Sequence, residues 1–302
     1  MILDTIAAST LERVATEKEK IPLAEQIARA GDLDSNTGFP FEQALAKPGM
    51  SFICEVKKAS PSKGRSALVE AHDEREVEME KAGADLIEIG IPFSDPTAEG
   101  VVIQEANIRS LSNGMTTDGV FDIVKKVREQ SEIPLAFMTY VNPVFHYGYD
   151  KFFARCEELD VSAIIIPDVP YEEKAEVEDV AKIHIVKVIS MIAPTSESRI
   201  RQIASEAEGF IYVVSSMGVT GVRSEIKTDL PAIVESIRTV TAVPCAIGFG
   251  ISTPEQAKAM ASISDGAIVG SAIVKIIAKY GREAAPYIGE YVKSMKEAVE
   301  KA

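Results

Sequence analysis

The sequence has no tryptophan, only three cysteines and three histidines, and no long apolar run. Without an apolar run of about 18 residues it predicts no membrane span. No charged-then-apolar leader opens the chain, so we expect a cytoplasmic protein. Cys54, Cys156 and Cys245 lie far apart and form no CxxC pair, which favours reduced thiols in the core. The histidines have no metal-ligand spacing such as HExxH, so no metal site is predicted.

Basic residues are also scarce. The chain has 32 Lys and Arg against 46 Asp and Glu, which gives a formal net charge of −14. A nucleic-acid partner requires clustered basic side chains that displace counterions, and no such cluster is present in the sequence. The composition, 46% hydrophobic and 26% charged, is that of an ordinary globular protein. We therefore expect no nucleic-acid partner.

Short β-branched apolar runs alternate with longer amphipathic segments, which is typical of strands alternating with helices. Eight strands are predicted: Ser51–Val56, Asp85–Gly90, Leu135–Tyr140, Ser162–Ile166, Ile185–Ser190, Phe210–Ser215, Pro244–Gly248 and Gly266–Val269. Helices are predicted between them, for example at Asp150–Leu159, Glu197–Ala207 and Pro254–Ala261. Eight such repeats predict an α/β protein with a single (β/α)8 barrel of the TIM-barrel class, and a doubly wound open sheet is the alternative.

Both ends of the chain have helical patterns. Residues 1–48 predict a helical N-terminal extension to the barrel, because no linker or break in composition marks a separate domain. Residues 49–302 form the predicted barrel. Its last helix is predicted at Ala284–Ala302, with one face packed on the barrel. That face carries Tyr287, Ile288, Tyr291, Val292, Met295 and Val299.

In a barrel of this class, the active site lies at the carboxyl ends of the strands. Glycine-rich sequences end the last three predicted strands: residues 215–221, 248–250 and 270–271. Glycines allow backbone N–H groups to approach an anion, and a helix that begins near Ser271 adds the positive end of its dipole. These three ends together predict a phosphate site, although each glycine can also serve only a turn.

The second predicted strand carries one carboxylate, Glu88, among apolar residues. Burial of a carboxylate costs several kcal/mol unless it is paired or protonated, so its presence indicates a function or a satisfied structural role. Desolvation raises the pKa of such a group toward the range of a general acid or base. Glu99 follows eleven residues later, after a turn-rich segment, so we expect two carboxylates to face one substrate.

These residues lie in a longer stretch that resembles the alpha subunit of tryptophan synthase. The resemblance runs from about residue 80 to residue 298 and rests on six segments in the order of the family: ADLIEIGIPFSDPTAEG, FMTYVNPVF, IIPDVPYEE, SSMGVTG, AIGFGIST and GSAIVKII. It implies a lyase of tryptophan biosynthesis. That family cleaves indole-3-glycerol phosphate by a retro-aldol reaction to indole and glyceraldehyde 3-phosphate.

The resemblance also implies roles for individual residues. Glu88 matches the acid/base that protonates carbon 3 of the indole, and Glu99 matches the carboxylate that stabilises charge on the indole nitrogen, where many members have Asp. The residues that match phosphate-binding positions are Gly221, Gly250, Gly270 and Ser271. The residues that match positions lining or ordering the indole pocket are Tyr140, Tyr212, Thr220 and Phe249, of which the two tyrosines can also be ordinary core aromatics.

The same resemblance implies a partner. In the family, indole passes to the beta subunit of an α2β2 assembly. The surface that meets the beta subunit corresponds here to Pro92, Asp95, Asn142 and Pro143. No cofactor is expected in this chain, and pyridoxal phosphate is expected only on the beta partner.

The first 80 or so residues instead resemble the start of indole-3-glycerol-phosphate synthase, through ILDTIAASTLERVATEKE and FPFEQALAKPGMSFICEVKKASPSKG. The resemblance implies that Glu55 and Lys57 correspond to the two charged residues of the synthase's first strand. A catalytic lysine of the synthase is missing, since the third predicted strand ends Met138-Thr139-Tyr140. The chain therefore resembles a fusion of two related barrel sequences joined near Glu80, with the synthase pattern before the joint and the alpha-subunit pattern after it.

Two alternatives to a lyase remain. One is a catalytically weak subunit that docks on the beta chain, and the other is the synthase activity.

Overall fold

The structure is a computed structural model, which describes residues 43–44, 49–57, 74–215, 229–248 and 250–302, with the backbone alone at positions 56 and 57. The chain divides into two compact units, and all described residues belong to the second, Pro40–Ala302. The predicted extension, residues 1–48, lies outside the described residues except at 43–44, where the chain is helical. It stays a prediction.

The described residues form one parallel sheet, which runs in the order β5-β4-β3-β2-β1-β9-β8-β7-β6. The two end strands, β5 and β6, are separated only by Ile189, whose N–H donates to the carbonyl of Ile164 at 2.9 Å. The sheet therefore returns on itself as a barrel, as predicted. Its strands are β1 Ser51–Lys57, β2 Leu86–Gly90, β3 Leu135–Met138, β4 Val161–Ile165, β5 Lys187–Val188, β6 Ser190–Ile192, β7 Ile211–Val214, β8 Cys245–Gly248 and β9 Gly266–Val269.

The count of nine differs from the predicted eight because the fifth predicted strand is interrupted. Its predicted start at Ile185 is wrong. Ile185 has a φ of +58°, and its N–H donates to the carbonyl of Lys182, so it ends the preceding helix. The apolar run therefore contains a helix end as well as a strand, which hydrophobicity alone does not separate.

Helices follow the strands on the outside of the sheet. Pro254–Ala261 begins and ends as predicted, and a capping box formed by Thr253 and Gln256 fixes its start. The predicted ends of two others, Asp150–Leu159 and Glu197–Ala207, differ by one or two residues. The helices are α1 (residues 74–81), α2 Val101–Ser112, α3 Thr117–Arg128, α4 Val141–Tyr147, α5 Tyr149–Glu158, α6 Ala175–Ile183, α7 Glu197–Ser205, α8 Leu230–Arg238, α9 Pro254–Ala261, α10 Ser271–Tyr280 and α11 Ala284–Val299.

The buried apolar side chains fall into two main clusters, one on each face of the sheet. Strand residues alternate between them, because successive side chains of a strand point to opposite faces. The outer cluster packs the helices on the sheet and includes Phe52, Cys54 and Ile87. The inner cluster fills the barrel with Ile53, Leu86, Ala136, Met138, Ala163, Ile165, Ile189, Phe210, Tyr212, Val214, Ala246 and Ile268. The same alternation turns Glu55 and Glu88 inward.

Helix α11 ends at Val299, three residues before the predicted end. It buries most of the predicted face: Ile288, Val292, Met295 and Val299. The prediction for Tyr287 is wrong, since this side chain is 42% exposed and its ring stacks on Tyr280 at a centroid distance of 3.7 Å. Tyr287 lies one residue, or about 100° of helix rotation, from Ile288, which turns it away from the core.

Candidate active site

Two glutamates face the barrel interior side by side. Glu55 of β1 and Glu88 of β2 are register partners in adjacent parallel strands. Glu88 is fully buried and Glu55 is 5% exposed. The structure therefore brings Glu88, the carboxylate predicted as the acid/base, next to Glu55 of the first strand. The backbone of Lys57 ends β1, and its side chain lies outside the described part of the chain.

Tyr212 of β7 also faces the barrel interior. It is 2% exposed, and its hydroxyl packs against Gly248 of β8, where a Cβ atom would lie only 2.4 Å from Oη. Burial first, and then the negative charges of Glu88, Glu55 and Glu99, raise the pKa of Tyr212 well above its ordinary range. The phenol therefore stays neutral, and all three carboxylates lie close enough to act on it.

Glu99, the second predicted carboxylate, is 4% exposed and lies directly before α2. Asn107 of α2 donates from Nδ2 to Glu99 Oε2 at 3.2 Å, and Gln104 donates from Nε2 to the Glu99 carbonyl at 2.7 Å. The first two turns of α2 therefore hold this carboxylate and its backbone in place. Glu88 and Glu99, the two predicted carboxylates, both contribute to the raised pKa of Tyr212.

Tyr140 follows β3 and holds the loop that carries Glu99. Its hydroxyl accepts a hydrogen bond from the N–H of Ala98 at 3.0 Å, and its ring lies 5.4 Å from that of Phe93, between centroids. Since Tyr140 is only 2% exposed, it orders the loop more than it lines an open pocket. This is one of the two roles that the sequence resemblance implies for it.

The predicted phosphate residues are only partly described. Gly270 is the residue before α10, and Ser271 is the first residue of that helix, whose initial N–H groups have no partner within the helix. Gly250 turns the chain after β8 with a φ of +85°, a conformation that favours glycine. These residues suit an anion at the start of α10. Thr220, Gly221 and Phe249 lie outside the described residues.

A cavity of about 330 Å³ lies beyond the carboxyl ends of β4 and β7. Ala98, next to Glu99, and Val214, two residues after Tyr212, line it, whereas Glu88 and Tyr212 themselves do not. Other lining residues include Ile166, Pro167 and Met191. Its volume and mostly apolar lining suit a small, flat, apolar ligand.

Sequence reasoning missed one residue of this site, Asn107. It is 4% exposed on the face of α2 that also buries Ile103, Ala106 and Ser110. A buried amide on a helix face needs a hydrogen-bond partner, and that requirement was the signal available in the sequence. The sequence does not show that the partner is Glu99, because this depends on how the loop enters the helix.

Within the described ranges, no group of three or more His, Cys, Asp or Glu side chains is arranged to hold a metal ion. Cys54, Cys156 and Cys245 are free and buried, as predicted. None of the helices described is both long enough and apolar enough to span a membrane.

The barrel agrees with the comparisons to known proteins. The family model described as tryptophan synthase alpha chain matches residues 42–301. The chain belongs to that family. The tryptophan synthase alpha chain of Lacticaseibacillus casei is 50% identical over 224 residues, which cover 74% of this chain and 84% of the relative.

Solved structures of tryptophan synthase also have the fold of this chain. Tryptophan synthase subunit alpha of Legionella pneumophila is 30% identical with a TM-score of 0.73, covering 87% of this chain and 99% of that one. A chain from the tryptophan synthase α2β2 complex of Pyrococcus furiosus is also 30% identical, with a TM-score of 0.72 and coverages of 82% and 98%. These likenesses establish the TIM barrel of the family. The resemblance of the first 80 residues to indole-3-glycerol-phosphate synthase stays a prediction.

Proposed function

We propose that this chain cleaves indole-3-glycerol phosphate to indole and glyceraldehyde 3-phosphate by acid–base catalysis at Glu88. The bond between indole carbon 3 and the glycerol chain breaks. Carbon 3 gains a proton, and the hydroxyl on the adjacent carbon loses one as it becomes the aldehyde. Membership of the tryptophan synthase alpha chain family supports this reaction. The observation that carries the assignment is the complete burial of Glu88 inside the barrel, where Glu88 and Glu99 both help to raise the pKa of Tyr212.

Each carboxylate has a separate task in this proposal. Glu88 donates its proton to indole carbon 3 and accepts the hydroxyl proton. Glu99, which Asn107 holds by a hydrogen bond, stabilises the positive charge that develops on the indole nitrogen. Tyr212 stays neutral, since burial raises its pKa, and forms a wall of the site. The reaction requires no cofactor of this chain's own.

The substrate's two ends go to different parts of the barrel mouth. The phosphate binds at the start of α10, at Gly270 and Ser271, with Gly250 and Gly221 nearby. The indole ring takes the apolar side toward the cavity that Ala98 and Val214 line. Thr220 and Phe249, which lie outside the described residues, complete the indole pocket in this proposal.

Indole passes to a beta subunit, in the manner of an α2β2 tryptophan synthase such as that of Pyrococcus furiosus. Asp95 and Asn142 are exposed and Pro92 and Pro143 are half-buried, so this predicted surface is open to a partner. Pyridoxal phosphate belongs to the beta partner, and a cytoplasmic location is part of the same proposal. Synthase activity is disfavoured, because the inward positions of β3 are Ala136 and Met138 and offer no lysine.

The test is release of indole from indole-3-glycerol phosphate by the purified chain, with and without a beta subunit. Glu88→Gln should reduce turnover by about 10²- to 10⁴-fold, the usual contribution of a general acid–base group. Glu105→Gln is the matched control, since Glu105 is an exposed glutamate on α2. If the folded chain releases no indole but still stimulates the beta subunit, the lyase function is excluded and the docking function is supported.

A further inference from the structure

The cavity beyond β4 and β7 reaches both faces of the sheet. Among its lining residues, Val214 belongs to the inner cluster and Met191 packs against it. Ile203 of α7 belongs to the outer cluster, and Val188 packs against that cluster. Because the two clusters lie on opposite faces of one sheet, a cavity that contacts both passes through the wall of the barrel.

The wall has an opening at this point because the chain changes partner within the fifth predicted strand. Val188 of β5 pairs with β4, whereas Ser190 of β6 pairs with β7. Ile189 lies between them and makes the hydrogen bond to β4 described above. In the described part of the sheet, β6 is not a neighbour of β4. The carboxyl ends of β4 and β6 therefore diverge, and Pro167 after β4 and Ser190 of β6 both line the cavity between them.

Two ion pairs join the elements on either side of the outer end of the cavity. Lys174 and Arg199 line this end. Nη1 and Nη2 of Arg199, on α7, donate to Oε1 and Oε2 of Glu172, in the turn after β4, at 2.6 and 3.0 Å. Lys174 Nζ lies 3.5 Å from Oε2 of Glu206, directly after α7. The turn that follows β4 is thus held to both ends of α7.

The pair of Arg199 and Glu172 is charged but weak. The hydrogen bonds from Arg199 lower the pKa of Glu172 to about 2, so this carboxylate stays ionised at neutral pH. The two side chains are 38% and 57% exposed, and exposed ion pairs contribute little net stability. Exposed side chains also change rotamer within nanoseconds. The pair therefore closes the outer end without locking it.

We propose that this cavity is a side passage for indole through the barrel wall, and that the ion pair between Arg199 and Glu172 is its outer gate. The identity of the ligand rests on the lyase function proposed above. Ala98, next to the catalytic Glu99, lines the inner end of the cavity, and the lining is mostly apolar, which suits a neutral ring. Indole formed at the carboxylates thereby leaves without crossing the phosphate site at the start of α10.

The first experiment measures indole exchange with the full-length chain alone. The chain has no tryptophan, so the fluorescence of indole reports its binding when it is excited where tyrosine does not absorb. Stopped-flow mixing gives the association and dissociation rate constants. In Glu172→Ala, both should rise about two- to fivefold, as expected for the loss of one exposed ion pair, and Kd should stay unchanged. Glu172 does not line the cavity, so its loss lowers the barrier in both directions without altering the bound state.

Glu197→Ala is the matched control. It removes an exposed ion pair to Arg201 within α7, and neither residue lines the cavity, so both rate constants should stay as they are. Added salt screens the gate and should accelerate exchange in the unaltered protein. It should have no such effect in Glu172→Ala, which has no gate to screen.

The second experiment blocks the passage. Thr195 is exposed and lines the cavity, and the three natural cysteines are buried. Thr195→Cys can therefore be modified selectively with a bulky maleimide, and both rate constants should then fall. Ser198→Cys is the control, since Ser198 is exposed close by in the sequence but does not line the cavity. The same modification at this position should leave the exchange unchanged.

Several results would overturn the proposal. They are a folded Glu172→Ala variant with unaltered rate constants, a change in Kd in place of a parallel change in both rates, unhindered exchange after the block at Thr195→Cys, and a chain that binds no indole. Release of indole from indole-3-glycerol phosphate, measured on the same proteins, separates this inference from the proposed function. Gated exchange without cleavage removes only the lyase function, whereas cleavage with ungated exchange removes only the passage.

Discussion

Lys296 Nζ, on the last helix, lies 2.7 Å from Asp85 Oδ2, directly before β2. The same carboxylate oxygen accepts the N–H of Phe52 at 2.6 Å, and the ammonium donates to the carbonyl of Met50 at 3.1 Å. One ion pair therefore joins α11 to the start of β1 and to the segment before β2. Its side chains are only 16% and 19% exposed, so solvent screens it less than an ordinary surface pair.

Replacement of Lys296 by Met should lower the free energy of unfolding by about 1.5–3 kcal/mol, because Asp85 then loses its charged hydrogen-bond partner while still largely buried. Equilibrium unfolding in urea measures this change in the free energy of unfolding. Lys293→Met, at an exposed position of the same helix, should change the stability by less than about 0.5 kcal/mol. Asp85→Asn combined with Lys296→Met should cost less than the sum of the single changes, and strict additivity would show that the pair does not interact.

Most of the fold follows from local patterns in the sequence. Short apolar runs between amphipathic segments gave the strand positions to within a few residues, and Pro254 after Thr253 gave a helix start. The errors have tertiary causes. Ile185 belongs to an apolar run, but the helix before it ends there in a left-handed turn, and Tyr287 is turned out of the core by one position.

The candidate site was predictable only in part. Glu88 was apparent as a single carboxylate in an apolar strand, and Gly270 as a glycine before a helix. The sequence did not reveal that Glu55 and Glu88 are neighbours. The register between two strands more than 30 residues apart is set by the packing of the whole barrel. The bond from Asn107 to Glu99 was missed for the same reason, since no local pattern joins a loop carboxylate to an amide two turns into α2.

Asn107→Ala should reduce kcat for indole release by about tenfold or more, because loss of the bond from Nδ2 frees Glu99 from the position in which it stabilises charge. Steady-state kinetics on indole-3-glycerol phosphate check this. Asn113→Ala is the control, since this amide donates to the Arg109 carbonyl at the other end of α2. Equal losses in the two variants would show that the effect comes from the stability of the helix alone.

Tyr147 provides a test of pH dependence away from the site. Burial and the hydrogen bond from its hydroxyl to Asp118 Oδ1, at 2.6 Å, raise the pKa of Tyr147 to about 12. A phenol with a pKa of about 10 in the unfolded chain then contributes stability that is complete below pH about 10 and lost as the pH rises toward 12. The absorbance of tyrosinate in the unaltered protein, minus that of Tyr147→Phe, should show this late titration. Asp118→Asn should move it to lower pH, and an unmoved midpoint would contradict the assigned hydrogen bond.

The last prediction concerns the contact between Tyr212 and Gly248. A methyl group at Gly248 would lie 2.4 Å from Tyr212 Oη and 2.7 Å from two ring carbons, far inside normal contact distance. Gly248→Ala should therefore displace Tyr212 from its position in the barrel interior, and lower both the stability and the rate of indole release. Strain of this kind in a packed core typically costs about 1–3 kcal/mol. Removal of the hydroxyl relieves the shortest contact, so Tyr212→Phe added to Gly248→Ala should recover part of the stability. Chemical denaturation of the two single variants and the double variant gives the coupling, and the absence of any recovery would place the cost of Gly248→Ala elsewhere than at the phenol.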